Sequence, residues 1–168
     1  MAKTVGEYIN ADDIKRTTLC SDLEAAVKAE ELREKMIEQK KDFTFETVLS
    51  TDRNLLLLRK AKEQGYFVRC IYVLTSNVDI NVARVSAREA LGGHGVPEEK
   101  IRQRYEKALK LIPQLVEVCD VLHLYDNTEV PFRIFKKRKD VYYRWINDFW
   151  GNEEIEKLTG IVDYKEKQ

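Results

Sequence analysis

Val68-Arg69-Cys70-Ile71-Tyr72-Val73-Leu74 is nearly all apolar. Such a run reads as a strand covered on both faces, the pattern of a parallel sheet flanked by helices. The strand candidate extends over Phe67 to Leu74, and helical patterns lie on either side of it, at Asp52 to Gln64 and at Asp79 to Leu91. Thr51 or Asp52 can cap the first helix, and Gly65 can close it. Further out, Glu7 to Asn10, Phe43 to Leu49 and Val121 to Tyr125 read as strands. Ser21 to Lys40 and Pro97 to Val118 read as helices, the second open to a kink or break at Pro113. Pro97 suits a first helical turn, Glu98 and Glu99 follow where the dipole favours acids, and Gly92-Gly93 end the preceding helix. Alternating strands and helices predict a three-layer α/β fold around a parallel sheet. Beyond Tyr125 the pattern weakens, and Tyr142 to Trp150 reads as a short aromatic helix before a polar tail.

Composition narrows the class. The 168 residues suit a single domain, with residues 128–168 as its C-terminal helical extension. Twenty-nine basic and 29 acidic side chains cancel, which argues against nucleic acid as a partner. The run Lys136-Lys137-Arg138-Lys139 reads as a solvated turn. No apolar run approaches the length of a bilayer span, and no charged-then-apolar leader opens the chain. Cys20, Cys70 and Cys119 are odd in number, widely spaced and free of CxxC pairing, as expected of thiols in a reducing cytoplasm. His94 and His123 share no ligand spacing with them, so no zinc site is expected.

In open parallel sheets, ligands bind beyond the carboxyl ends of the strands. Those ends carry Asn10-Ala11-Asp12-Asp13, Glu46 to Ser50, and Tyr125-Asp126-Asn127. Asp12 can serve as a general base toward a hydroxyl or, equally, Asp12 or Asp13 can simply cap the helix that follows. Glu46 sits in a strand expected to be covered, and a buried carboxylate favours a site over a paired structural acid. Arg84 and Arg88 share a helical face, whereas Arg102 and Arg104 point apart, so one of that pair can face a site and the other solvent. Guanidinium groups grip phosphate oxygens bidentately. On periodicity alone, salt bridges to Glu89, Glu98 or Glu99 are the commoner fate of such arginines. His94, between glycines, could contact an anion or simply occupy the turn. Ile101, Tyr105, Leu109 and Ile112 follow core spacing. A phosphate-cradling G-x-x-x-x-G-K-[ST] is missing, for none of the seven glycines precedes a lysine.

Taken together and in order, these segments resemble a known family. Phe43-Thr44-Phe45-Glu46-Thr47-Val48-Leu49-Ser50 resembles the F-x-F-E-T-x-L-S segment of zeta-toxin-like P-loop kinases. Arg84-Val85, Arg88, Gly92-Gly93-His94-Gly95-Val96-Pro97-Glu98, Ile101 and Arg104-Tyr105 resemble that family's lid, Ile9-Asn10-Ala11-Asp12 its N-A-D strand end, and Tyr125-Asp126-Asn127 its closing Y-D-N. The resemblance covers roughly residues 7 to 127. It implies a doubly wound P-loop kinase fold whose central P-loop strand is missing from this sequence. It also implies ATP and magnesium as cofactors, Asp12, Arg88 and Arg104 as catalytic residues, and Glu46, Thr47, Ser50 and His94 at a small hydroxylated acceptor. Arg84 and Arg102 would bind phosphate, and Asp126 and Asn127 the nucleotide. The best-known members are bacterial toxins that phosphorylate UDP-N-acetylglucosamine and are held in check by a small antitoxin, so an antitoxin is an expected partner. A strand edge left without its neighbour would invite self-association. Without the phosphate cradle, this chain is expected to turn over weakly; a remnant that binds an anion or a protein without catalysis is the competing expectation.

Overall fold

The computed structural model describes residues 4–93 and 95–166. The chain divides into two compact units, Met1–Val48 with Glu63–Gly65, and Leu49–Lys62 with Tyr66–Gln168.

The first unit contains β1 (Glu7–Ile9), α1 (Ala11–Thr18), α2 (Asp22–Glu38) and β2 (Phe43–Phe45). Asn10 caps α1 by accepting the Asp12 N–H at 2.8 Å. Ser21 and Glu24 form a reciprocal capping box at the start of α2. Ala25, Ala29 and Met36 recur at helical spacing along its buried face, and Ile9, Ala29 and Met36 form a small core edged by Ile14, Leu32, Phe43 and Phe45. The two strands pair in parallel, Glu7 opposite Phe43 and Ile9 opposite Phe45. Gly6 enters this pairing with φ +63°, and a β-carbon there would collide with the Asp42 carbonyl.

The second unit runs α3 (Arg53–Glu63), β3 (Arg69–Leu74), α4 (Val78–Ala90), α5 (Glu98–Val118), β4 (Val121–Asp126), β5 (Phe132–Arg138), β6 (Val141–Arg144), α6 (Asn152–Thr159) and β7 (Lys165–Glu166). Its sheet has the order β3-β4-β5-β6-β7, parallel at β3–β4 and β6–β7 and antiparallel between. Ile112, Leu115 and Val116 of α5, Leu55 of α3 and Ile155 of α6 bury against Leu122, Leu124, Ile134 and Phe135 of the sheet. α5 runs unbroken through Pro113.

The protein is thus a mixed α/β structure, and it departs from the expected three-layer parallel sheet in three ways. β1 and β2 form a two-stranded sheet of their own. β3 alternates instead of being covered throughout: Leu74 is buried and Cys70 and Tyr72 pack on the core, but Ile71 and Val73 remain 44% and 54% exposed. Residues 142–144, inside the expected aromatic helix, are strand, and the expected helical extension holds a β-hairpin as well as the helix α6. Val141-Tyr142-Tyr143 are strong strand formers, and Lys139, at φ +53°, makes the tight turn that pairs them with β5. Lys136, Lys137 and Arg138 of the basic run therefore lie in β5, and Lys139 lies in the turn that follows. Lys137 is buried, its amine donating to the Val116 carbonyl at 2.6 Å and the Glu117 carbonyl at 3.2 Å, where the negative end of the α5 dipole favours a cation. Among the described residues no helix is long and apolar enough to cross a membrane.

Asp120 ties the edge of this unit together. Its carboxylate accepts the Lys62 amine at 2.7 and 2.8 Å and the Val68 N–H at 2.7 Å. Burial pushes its pKa up, but the Lys62 and Val68 bonds outweigh that and hold it below the ordinary value of 3.8. A depressed carboxylate stabilises the fold above its unfolded-state pKa, and that contribution is lost as pH falls through the folded value. Asp120→Asn is expected to lower stability at neutral pH and to flatten the loss of stability below about pH 4, measured by urea denaturation across pH. An unchanged acid limb would assign acid lability to other groups.

Candidate functional site

The second unit gathers a polar network beyond the carboxyl ends of β3 and β4. Asp126, the last residue of β4, is 2% exposed. A buried carboxylate is tolerated only when hydrogen-bonded. One of its oxygens accepts the Thr128 hydroxyl at 2.6 Å and the Thr128 N–H at 3.0 Å, and the other accepts the Asn147 amide at 3.2 Å. The Thr128 hydroxyl oxygen in turn accepts the Ser76 N–H at 2.9 Å. Asn77 caps α4, Asn81 donates to the Thr75 hydroxyl at 3.0 Å, and the Tyr105 hydroxyl donates to the Thr75 carbonyl at 2.6 Å. Burial pushes the Tyr105 pKa up, which keeps it a hydrogen-bond donor. The loops after β3 and β4 are thereby tied to both helices that carry the candidate arginines.

Those four arginines differ sharply. Arg102 is taken, bonded to Glu98 and Asp79 at 2.7 Å each, and these bonds raise its pKa. It has the salt-bridged fate that periodicity favoured. Arg84 donates one N–H to the Thr128 carbonyl at 3.0 Å and is otherwise exposed. Arg88 is exposed and Arg104 half-buried. Among the described residues, neither guanidinium has an acidic partner or a carbonyl acceptor. After α4 the chain turns sharply through Gly92, at φ +84°, and Gly93, whose N–H bonds the Arg88 carbonyl at 3.0 Å. A β-carbon at Gly93 would lie 2.8 Å from Arg88 Cγ, so glycine there lets the turn fold back over the arginine stem. His94 lies outside the described residues.

In the first unit, Asp12 is exposed on the first turn of α1, and Asn10, rather than either aspartate, caps that helix. Asp13 pairs with Arg16 at 2.6 Å. β2 stops at Phe45, so Glu46 is an exposed residue past the strand end, and the burial argument that singled it out does not hold. Glu46 comes close to Tyr8, whose hydroxyl accepts the Asn10 amide at 3.2 Å. The Asn10 amide lowers the Tyr8 pKa, while the Glu46 carboxylate and burial raise it, with a net upward shift. Thr47 is exposed in the same coil, and Ser50 is half-buried in the second unit. The structure thus groups Tyr8, Asn10 and Glu46 in one unit, and the four arginines with Asp126 and Asn127 in the other.

The arginines suit the phosphates of ATP. Among the described residues no group of three or more His, Cys, Asp or Glu side chains is placed to hold a metal by itself, and magnesium on a nucleotide is usually held by one or two carboxylates together with the phosphates. The reading of the strand ends reached Asp126 but missed Thr75, Ser76, Thr128 and Asn147. Small polar residues in loops carry no periodic signal.

A family model described as zeta toxin matches residues 7–140. Over 85 residues the chain is 35% identical to a protein of Haemophilus influenzae strain Rd described only as an uncharacterized protein. The match takes in 51% of the chain and 61% of that relative's length. No solved structure matches the chain.

Proposed function

The chain belongs to the zeta toxin family, and on that premise we propose that it serves ATP-dependent phosphoryl transfer to a small hydroxylated acceptor such as a nucleotide sugar. The observation that carries this reading is the contrast among the arginines of α4 and α5. Arg102 is neutralised by two carboxylates, while among the described residues the guanidinium groups of Arg88 and Arg104 have no acidic partner. Phosphoryl transfer is catalysed chiefly by positioning and by neutralising charge on the transferred group, and unpaired guanidinium groups supply the second. Arg88 and Arg104 would bind the transferred phosphoryl and Arg84 a neighbouring phosphate, with Asn127 and His94 close to the ligands. Asp12 would accept the acceptor's proton, and Glu46, Thr47 and Ser50 would hold that acceptor. Asp126, facing inward, would shape the nucleotide side without touching it. ATP would supply the phosphoryl group, and no step is assigned to magnesium. A cytoplasmic setting and a small antitoxin partner belong to the same reading.

A second reading, anion binding without turnover, is favoured by one observation: these 168 residues contain no G-x-x-x-x-G-K-[ST] to cradle the phosphates. Calorimetric titration of the chain with ATP, with and without magnesium, alongside a labelled-phosphate transfer assay, separates the two. Weak binding with slow transfer is expected. Binding with no transfer to any hydroxylated acceptor would favour the second reading. Tight magnesium-dependent binding would show that no further cradle is needed.

A further inference from the structure

We propose that Thr128, held by the buried Asp126, is a positioning residue that aims Arg84 toward a bound phosphate. The inference rests on the phosphate reading of the arginines given above.

Arg84 is an exposed helical side chain, and such side chains sample many rotamers. Among the described residues its partner is the Thr128 carbonyl, 44 residues away in sequence, at 3.0 Å. A carbonyl takes one N–H without neutralising the charge, so the cation is oriented yet remains available to an anion. Glu98 and Asp79 do the opposite to Arg102.

The Thr128 carbonyl is itself fixed by an unusual set of bonds. Thr128 donates both its N–H and its hydroxyl to one Asp126 oxygen. Its hydroxyl oxygen also meets the Ser76 N–H at 2.9 Å and the Ser76 hydroxyl at 3.0 Å. Asn147, from beyond β6, holds the second Asp126 oxygen. Among the described residues no lysine or arginine is bonded to this buried carboxylate, so its hydrogen bonds must compensate the charge. Loss of any one of them loosens the loop that carries the carbonyl. The device therefore runs from the β4 end through Thr128 to the arginine, and it sits where strand-end ligands bind in open α/β sheets.

The test is Thr128→Val, which keeps the side-chain shape and removes the hydroxyl, with Thr128→Ser as the rescue. Two readouts are needed. Arginine side-chain NMR of the ligand-free protein should show a restricted Arg84 guanidinium in the parent and in Thr128→Ser, and averaged signals in Thr128→Val. Titration with inorganic pyrophosphate should show about tenfold weaker binding in Thr128→Val, the size of one lost charge-assisted hydrogen bond. In an Arg84→Ala background the same substitution should cost nothing further. Additive losses, or an Arg84 signal unchanged in Thr128→Val, would overturn the proposal. If Thr128→Val does not fold, Thr128→Ser and Asn147→Ala carry the same NMR comparison, Asn147→Ala being expected to average the Arg84 signals. A restricted Arg84 in a parent protein that binds no pyrophosphate would support the tether and count against the phosphate reading alone.

Discussion

Replacing Arg88 and Arg104 together by alanine is expected to abolish measurable phosphate binding, lowering affinity for pyrophosphate or ATP by about a hundredfold or more. Each guanidinium can make charge-assisted hydrogen bonds worth about 1.5–3 kcal/mol apiece, and a factor of ten corresponds to about 1.4 kcal/mol. The fold should be unaffected, since neither guanidinium bonds another described residue and surface changes of this kind usually move stability by no more than about 0.5 kcal/mol. Arg102→Ala is the internal control. Its charge is already balanced by Glu98 and Asp79, so its loss should change affinity by no more than about threefold, the median worth of an exposed pair. Calorimetry at low ionic strength with the three proteins decides the matter. If Arg102→Ala weakened binding as much as the double variant, general surface charge rather than a directed grip would explain the binding.

Phe135→Ala is expected to have the largest effect on stability. Phe135 is fully buried in the second unit, stacked on Tyr142 at 6.3 Å and meeting Tyr164 edge-on at 6.2 Å. Removing a buried phenyl costs about 3–5 kcal/mol, a large share of the roughly 5–15 kcal/mol that holds a domain folded. The thermal midpoint should drop by roughly 10–20 °C. Phe132→Ala, at the 40%-exposed start of the same strand, should cost far less. Equal losses from the two substitutions, measured by thermal and urea unfolding, would show that strand pairing rather than core packing dominates there.

The helices were the most legible part of the chain. α2, α3, α4 and α5 fall within a residue or two of their expected limits because caps and apolar spacing act within a few residues of one another. The eight-residue α1 was given no limits, and its cap is Asn10 rather than the aspartates that could have capped it. The C-terminal third was read least well. Residues 142–150 are aromatic without a clear period, and whether such a run pairs or coils depends on a hairpin partner. At the site, the arginines were visible as residue types on the right helices. Which of them is spent in a salt bridge was not, because Asp79 lies 23 residues before Arg102 and is brought to it only by the packing of α4 on α5.

The sequence by itself determined the family, the helical frame, and the placement of arginines around a glycine turn. Each of these follows from residue types in order or from forces between near neighbours. Only the tertiary structure decided that the strands divide into two sheets, that Glu46 is exposed, that Asp126 faces inward, and that Arg84 is held by Thr128. These outcomes depend on contacts between residues 20 to 50 positions apart, such as Tyr105 with Thr75 and Arg84 with Thr128. Burial and hydrogen-bond satisfaction are properties of the packed chain, and no local pattern encodes them.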